Sequence, residues 1–305
     1  MEDNPVHVTI WNDAGPHAHR AVLVHGTMTW GDECYERQRP LAAEFELDVV
    51  DRRGFGDSPD TERSDWEIDA EDILKLLGPG AHLVGHSYGG VAAMAAAASK
   101  PEAVHSLVLI EPAALRVAEE IPTVGRTLGR YRRAFGSASS PQDMSAEDYL
   151  RSATRFGMPV PEFTPRRLRA TRTAMAERPC WEALINLAPL AAAPWPKAVI
   201  NGTWTTAHPE YRRASGEALM ACGEYIAEQI GAELVRVPDA DHMPHRDQPE
   251  LVNACLRNIW TRLTSRVTQS RIYCDCGVVQ ADPKNTAFSG QAPAAGGGLC
   301  RRLWF

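Results

Sequence analysis

The sequence predicts an α/β protein, a mostly parallel sheet with helices packed on both faces. Three observations lead there. Short apolar runs recur through the first part of the chain and again after Trp195, and most of them are followed by a helical stretch. The runs are apolar throughout rather than alternating, which marks strands buried on both faces. And one run, His82-Leu83-Val84, turns through Gly85-His86-Ser87-Tyr88-Gly89 directly into an alanine-rich helix.

In chain order, His7–Trp11 reads as an opening strand, with Gly15-Pro16 as the turn after it. Ala21–Val24 is a buried strand that runs into His25-Gly26-Thr27. A helical stretch near Tyr35–Glu44 leads to a third strand, Leu47–Val50, and then to a loop of turn formers, Asp51-Arg52-Arg53-Gly54-Phe55-Gly56-Asp57-Ser58-Pro59. The helix Trp66–Leu77 carries its apolar residues at helical spacing and stops at Gly78-Pro79-Gly80. After the strand His82–Val84 and the helix Val91–Ser99 comes the strand Ser106–Ile110, ending in Glu111-Pro112. In such sheets ligands bind at the carboxyl ends of the strands. His25-Gly26, Asp51, Ser87 and Glu111 are all delivered to that edge.

The turn explains its own residue types. A strand that reverses into a helix within one residue puts the central side chain in a strained conformation, and flanking glycines relieve the crowding. That side chain, Ser87, then stands at a helix N-terminus whose N–H groups have no internal partner. A hydroxyl there can attack a carbonyl while the helix end favours the oxyanion. A G-x-S-x-G alone arises by chance in a chain of this length roughly one time in ten; the strand–turn–helix context is what gives it weight.

From Ala113 to Pro194 the strand rhythm disappears, and helical stretches are expected near Val124–Phe135, Ala146–Phe156 and Pro165–Ala192. Lying between two strands of the sheet, residues 113–194 read as an inserted helical cap on a core made of 1–112 and 195–264. The arginine clusters at Arg126–Arg133 and Arg166–Arg169 read as solvated helix faces rather than phosphate sites. Met28, Trp30 and Trp181 are candidates for the pocket lining; Trp181, Trp195, Tyr149, Phe156 and Phe163 fit a pocket lining and a cap core equally well. The sheet resumes at Lys197–Trp204, followed by a helix Tyr211–Ile230, a strand Glu233–Pro238, the loop Asp239-Ala240-Asp241-His242-Met243-Pro244-His245 and a closing helix Pro249–Leu263. Residues 265–305 lose periodicity and read as an unpacked tail.

His25-Gly26-Thr27, Asp51-Arg52-Arg53-Gly54-Phe55-Gly56-Asp57-Ser58, Gly85-His86-Ser87-Tyr88-Gly89-Gly90 and Asp241-His242-Met243-Pro244-His245 occur in the order found in α/β-hydrolases. The chain resembles that family from His7 to about Leu263, without the first strand of its usual sheet. The resemblance implies Ser87 as nucleophile, His242 as general base, and the backbone N–H groups of Thr27 and Tyr88 as the oxyanion hole. The residues themselves agree on the base. A serine hydroxyl needs one within hydrogen-bond reach, and of ten histidines His242 sits just past a strand at the right edge, after the inserted segment. His245 is its competitor. His86 is expected to point inward, and His25 to shape the loop that carries Thr27.

The triad acid departs from the family pattern. Its usual place follows the strand Ala198–Gly202, where this chain has Thr203-Trp204-Thr205-Thr206-Ala207-His208 and no carboxylate until Glu210. Without an acid the histidine loses its tautomer control, a cost of about 10⁴-fold in turnover. Glu111 is the candidate, because some α/β-hydrolases, certain lactone hydrolases among them, carry the acid after this earlier strand. Glu210 is the runner-up, and a purely structural Glu111 is the competing reading.

These residues point to a serine hydrolase acting on an ester or lactone, with no metal or organic cofactor implied. A serine nucleophile argues against the aspartate-based dehalogenase and epoxide hydrolase chemistries of this fold. Two other readings remain: a lyase using Ser87 and His242 as a proton-transfer pair, and a non-catalytic small-molecule binder, favoured by the vacancy at Thr205 and Thr206. Hydrophobic content of 44%, charged content of 23% and a net charge of −7 fit a globular protein with no electrostatic reason to bind nucleic acid. No apolar run approaches the ~20 residues that span a membrane. An acidic N-terminus and seven scattered cysteines lead to the expectation of a cytoplasmic protein with free thiols. Cys274-Asp275-Cys276 lacks the spacing of a zinc site.

Overall fold

The computed structural model describes residues 5–16, 18–136, 144–152 and 160–262. The chain runs through β1 (Val8–Trp11), β2 (His19–Val24), α1 (Gly31–Tyr35) with a 3-10 turn Glu36–Ala43, β3 (Phe45–Val50), α2 (Trp66–Leu77), β4 (Ala81–His86), α3 (Tyr88–Ser99) and β5 (Val104–Ile110). The segment between β5 and β6 contains α4 (Pro122–Phe135), α5 (Ala146–Arg151), α6 (Pro165–Met175) and α7 (Ala188–Ala192). Then follow β6 (Lys197–Gly202), α8 (Pro209–Tyr211), α9 (Glu217–Ile230), β7 (Glu233–Val237), α10 (Pro244–Asp247) and α11 (Pro249–Thr261).

The seven strands are ordered β1-β3-β2-β4-β5-β6-β7, with β1 antiparallel to β3 and every other pairing parallel. This is the α/β sheet that the solid apolar runs predict. Side chains alternate faces along each strand, and here both faces are buried. Val22, Leu83, Leu107 and Val199 pack with Ile73, Val91 and Ile226 of α2, α3 and α9. Leu23, Val84, Val108 and Ile200 pack on the other face with Tyr35, Leu41, Leu256 and Trp260.

Two strands leaving β2 in opposite directions, β3 on one side and β4 on the other, make a topological switch between β2 and β4. A crevice opens at the carboxyl ends of strands at such a point. The residues there are those after β2, His25-Gly26-Thr27, and after β4, Ser87.

The expected boundaries mostly hold, with differences that have local causes. The stretch Pro165–Ala192 is not one helix: α6 ends at Met175, and a 3-10 turn, Cys180–Glu182, precedes α7. Pro179 and Pro189 lack the N–H a continuous helix needs. The helix expected from Tyr211 is interrupted by a π turn at Arg212–Gly216. The arginine clusters are ion-paired rather than simply solvated. Arg132 binds Glu119 and Glu182, Arg169 binds Asp60, and Arg167 is buried against Glu33. Several of these pairs tie the β5–β6 segment to the core. Phe156 and the tail 265–305 lie outside the described residues. Among those residues no helix is long and apolar enough to cross a membrane.

Candidate active site

The turn after β4 is built as its glycines require. Ser87 has φ +53°, ψ −115°, a conformation that costs a non-glycine residue on the order of 1–3 kcal/mol. A Cβ on Gly85 would lie 2.5 Å from Gly89 O, and one on Gly89 would lie 2.4 Å from the carbonyl oxygens of Val24 and His25. Only hydrogen fits at either position. Ser87 N–H donates to Ile110 O at 2.9 Å, while Ser87 O accepts from Gly90 N–H at 3.0 Å. The side chain is thus held at the N-terminus of α3.

His242 lies in the loop between β7 and α10, and its Nε2 is 3.0 Å from Ser87 Oγ. Its Nδ1 faces Glu111 Oε2 at 3.6 Å, beyond hydrogen-bond length. Among the described residues neither of those two atoms has another hydrogen-bond partner. Glu111 follows β5 with φ +47°, its N–H bonded to Ile200 O at 2.9 Å. Its carboxylate is fully buried. Oε1 accepts from Gly202 N–H at 2.7 Å and from the Trp204 indole N–H at 3.2 Å, which leaves Oε2 to the histidine. Burial pushes the Glu111 carboxyl above the usual range, against the pull of His242 and the two donors.

Glu210 is not part of this cluster. It is exposed at the start of α8, where its N–H lies 3.3 Å from His208 Nδ1. The place expected of an acid after β6 is filled by Trp204, which has φ +56°, is fully buried and lies against His242 at 6.1 Å between ring centroids. Sequence reasoning passed over Trp204.

His245 points away from Ser87. It is fully buried, with Nε2 3.4 Å from Cys34 Sγ. His86 Nε2 donates to the carbonyl of His242 at 2.8 Å, which fixes its tautomer and anchors the loop from behind. Cys34, His86 and His245 together offer three buried ligand-type atoms. Burial holds the Cys34 thiol at about 12 and His245 near 3, as suits neutral groups in a closed core. His25 bridges the loop after β2. Its Nδ1 donates to Gly26 O at 2.6 Å and its Nε2 accepts Arg52 N–H at 3.0 Å, so the ring is neutral with an assigned tautomer.

Thr27 lies in the loop after β2, and Tyr88 follows Ser87 as the first residue of α3. The Thr27 hydroxyl donates to Glu177, and the Tyr88 hydroxyl donates to Arg178 O at 3.2 Å. The three pocket candidates do not come together. Met28, buried with φ +60°, packs with Phe55, Leu150 and Ala170, and Trp30 joins that cluster beneath Arg166 and Arg167. Trp181 lies in a separate aromatic group with Tyr131 and Phe135, at 5.1 and 5.9 Å between ring centroids. Trp195 bonds Pro101 O at 2.9 Å, next to the start of β5.

The "Alpha/beta hydrolase family" profile matches residues 21–254. A pimeloyl-[acyl-carrier protein] methyl ester esterase of Aeromonas salmonicida is 40% identical over 91 residues, 29% of this chain and 36% of that protein. A lipase of Mycobacterium tuberculosis is 34% identical over 114 residues, 35% of this chain and 42% of that protein. The chain thus aligns with well under half the length of these relatives. Among solved structures, a thermophilic esterase from Thermogutta terrifontis superposes with TM-score 0.54 at 23% identity, over 85% of this chain and 93% of that one. An enol-lactonase from Burkholderia xenovorans gives 0.54 at 20% identity, over 84% and 96%. At those identities the likeness shows the fold. The matched span runs from β2 into α11 and encloses the elbow, Glu111 and His242, and on it the chain belongs to the alpha/beta hydrolase family.

Proposed function

We propose that this chain is a serine hydrolase that cleaves a carboxylic ester or lactone through an acyl-enzyme on Ser87. The observation that carries the reading is the continuous line from Ser87 Oγ through His242 to a buried carboxylate, with spacings of 3.0 and 3.6 Å. In this reading His242 Nε2 takes the hydroxyl proton as Ser87 attacks the carbonyl carbon. Glu111 holds the proton on Nδ1 and stabilises the imidazolium that forms. The backbone N–H groups of Thr27 and Tyr88 stabilise the oxyanion. His242 then protonates the leaving alkoxide, and the same base activates a water that releases the acid.

Residues 113–194 act as the cap over this site, with Met28 and Trp30 at its border. The esterase, lipase and lactonase names of the related proteins favour ester-bond chemistry over a lyase or an inert binder. The four cysteines among the described residues are free thiols, which fits a cytoplasmic setting. The test is direct. Purified protein is assayed on p-nitrophenyl acetate and on simple five- and six-membered lactones, alongside Ser87→Ala. Turnover that disappears in the variant supports the reading. Turnover that persists in Ser87→Ala, or no turnover with any of these substrates, rejects it.

A further inference from the structure

The segment between β5 and β6 reaches the loop after β2 through two buried side chains, Arg167, which bonds the Met28 carbonyl, and Glu177. Glu177 follows α6 and is 5% exposed. Its Oε1 accepts from the Arg52 guanidinium at 2.5 Å, and its Oε2 accepts from the Thr27 hydroxyl. Arg52 in turn grips the same loop. Its Nε donates to His25 O at 3.1 Å and its Nη2 to Gly26 O at 3.0 Å, while Nη1 binds Asp69 at 2.8 Å. The guanidinium sits against the rings of Phe55 and Tyr88, at 4.5 and 4.2 Å from their centroids.

In a trans peptide the C=O of one residue and the N–H of the next are coplanar and point in opposite directions. Whatever holds Gly26 O therefore fixes the direction of Thr27 N–H. Glycine offers little resistance of its own to rotation of that peptide. Arg52 and the neighbouring His25 Nδ1 both hold the carbonyl side, and Glu177 holds the Thr27 side chain.

We propose that Arg52 and Glu177 are positioning residues for the oxyanion hole, together locking the Gly26–Thr27 peptide so that its N–H is offered in one direction. Through Glu177 the β5–β6 segment becomes part of the machinery that stabilises the oxyanion. The inference rests on Thr27 N–H being an oxyanion donor, as in the proposed function. A purely structural role accounts less well for the arrangement. Three buried charges are costly to desolvate, and well-packed apolar residues often serve stability as well or better. The Thr27 hydroxyl bond neutralises no charge at all; what it fixes is the loop.

Thr27→Val separates the two roles, since it removes the hydroxyl and leaves the Arg52–Glu177 pair intact. Glu177→Gln weakens both links, and Thr27→Ser restores the hydroxyl. With an aryl ester, Thr27→Val and Glu177→Gln are expected to lower kcat by ~10–100-fold, somewhat less than outright loss of an oxyanion donor. KM should stay within about two-fold, the pattern of an interaction made in the transition state. Inhibition by an aryl trifluoromethyl ketone, whose adduct on serine carries an oxyanion, should weaken by the same factor, and Thr27→Ser should recover most of both. Hydrogen exchange of a peptide covering residues 25–30 should quicken in both weakened variants. A kcat within two-fold of wild type, or a change confined to KM, overturns the proposal. If wild type neither turns over esters nor binds the ketone, the proposed function fails by itself. The exchange measurement then still decides the clamp: unchanged exchange rejects it and faster exchange supports it. Should Glu177→Gln not fold, Thr27→Val carries the same readouts.

Discussion

Glu111 and Glu177 are the same side chain, and both are buried, yet they face opposite kinds of partner. Glu111 faces a histidine, a group that can take up a proton during a reaction, and keeps one oxygen without a hydrogen bond until the other side supplies it. Glu177 faces Arg52, whose charge is permanent, and its two oxygens are engaged by the guanidinium and the Thr27 hydroxyl. Burial pushes both carboxyls above the usual range. The difference lies in what opposes that push. A titratable partner makes a site whose charge can change as the reaction proceeds, and a fixed one makes a brace.

The comparison can be broken at several points. Ser87→Ala removes the proposed nucleophile, and turnover should fall by about 10⁵-fold or more. Residual activity within ten-fold of wild type would mean that another group does the chemistry. Glu111→Gln keeps the shape and removes the charge proposed to fix the His242 tautomer, so kcat should drop by ~10³–10⁴-fold. Glu210→Gln, at an exposed position outside the cluster, should leave kcat within about two-fold. Arg52→Met strikes the brace instead and leaves Asp69 and Glu177 buried without their cation. Removing one partner of a buried pair costs about 3–5 kcal/mol, to be read by urea denaturation. The sign of its pH dependence follows from the raised carboxyls. Arg52 opposes the upward push on Asp69 and Glu177, so its removal raises both carboxyls further in the folded chain alone, and the loss should grow as the pH rises above the ordinary carboxylate range. A destabilisation that does not change from pH 5 to 8 would show that the two carboxylates are not what Arg52 holds in place.

A smaller change in stability is expected from His245, behind the site. His245 is held near 3 by burial, with Arg246 and His242 adding to it, whereas an unfolded histidine titrates at about 6.5. Between those values the unfolded chain binds a proton that the folded chain refuses. Stability therefore falls as the pH drops below 6.5, by at most about 1.4 kcal/mol per unit. His245→Gln lacks this response. The stability gap between wild type and variant should thus narrow on going from pH 7 to pH 5, by up to about 2 kcal/mol. A constant gap would place the His245 ring in contact with solvent.

The parts of the site that sequence carried were those set by backbone constraint. Gly85 and Gly89 are present because a Cβ would collide with main chain, so the elbow declared itself in residue types. Glu111 was legible because a solid apolar run located the end of β5, and an empty place after β6 made an acid there worth seeking. Trp204 was not legible. Its positive φ and its hydrogen bond to Glu111 depend on how β5 and β6 sit side by side. Glu177 was harder still. It meets Thr27 across a sequence separation of 150 residues, in a segment whose local pattern suggested one continuous helix. The arginine clusters looked solvated for a related reason: their acidic partners, such as Asp60 and Glu33, lie on distant stretches of chain.

The central claim is that Glu111 is the carboxylate that activates Ser87 through His242. Intact-mass spectrometry after timed exposure to a fluorophosphonate probe tests it without knowledge of the natural substrate. Wild type should gain one label, Ser87→Ala none, Glu210→Gln should match wild type, and Glu111→Gln should label more slowly by ~10³-fold or more. Labelling of Glu111→Gln at a rate within a few-fold of wild type would contradict the account.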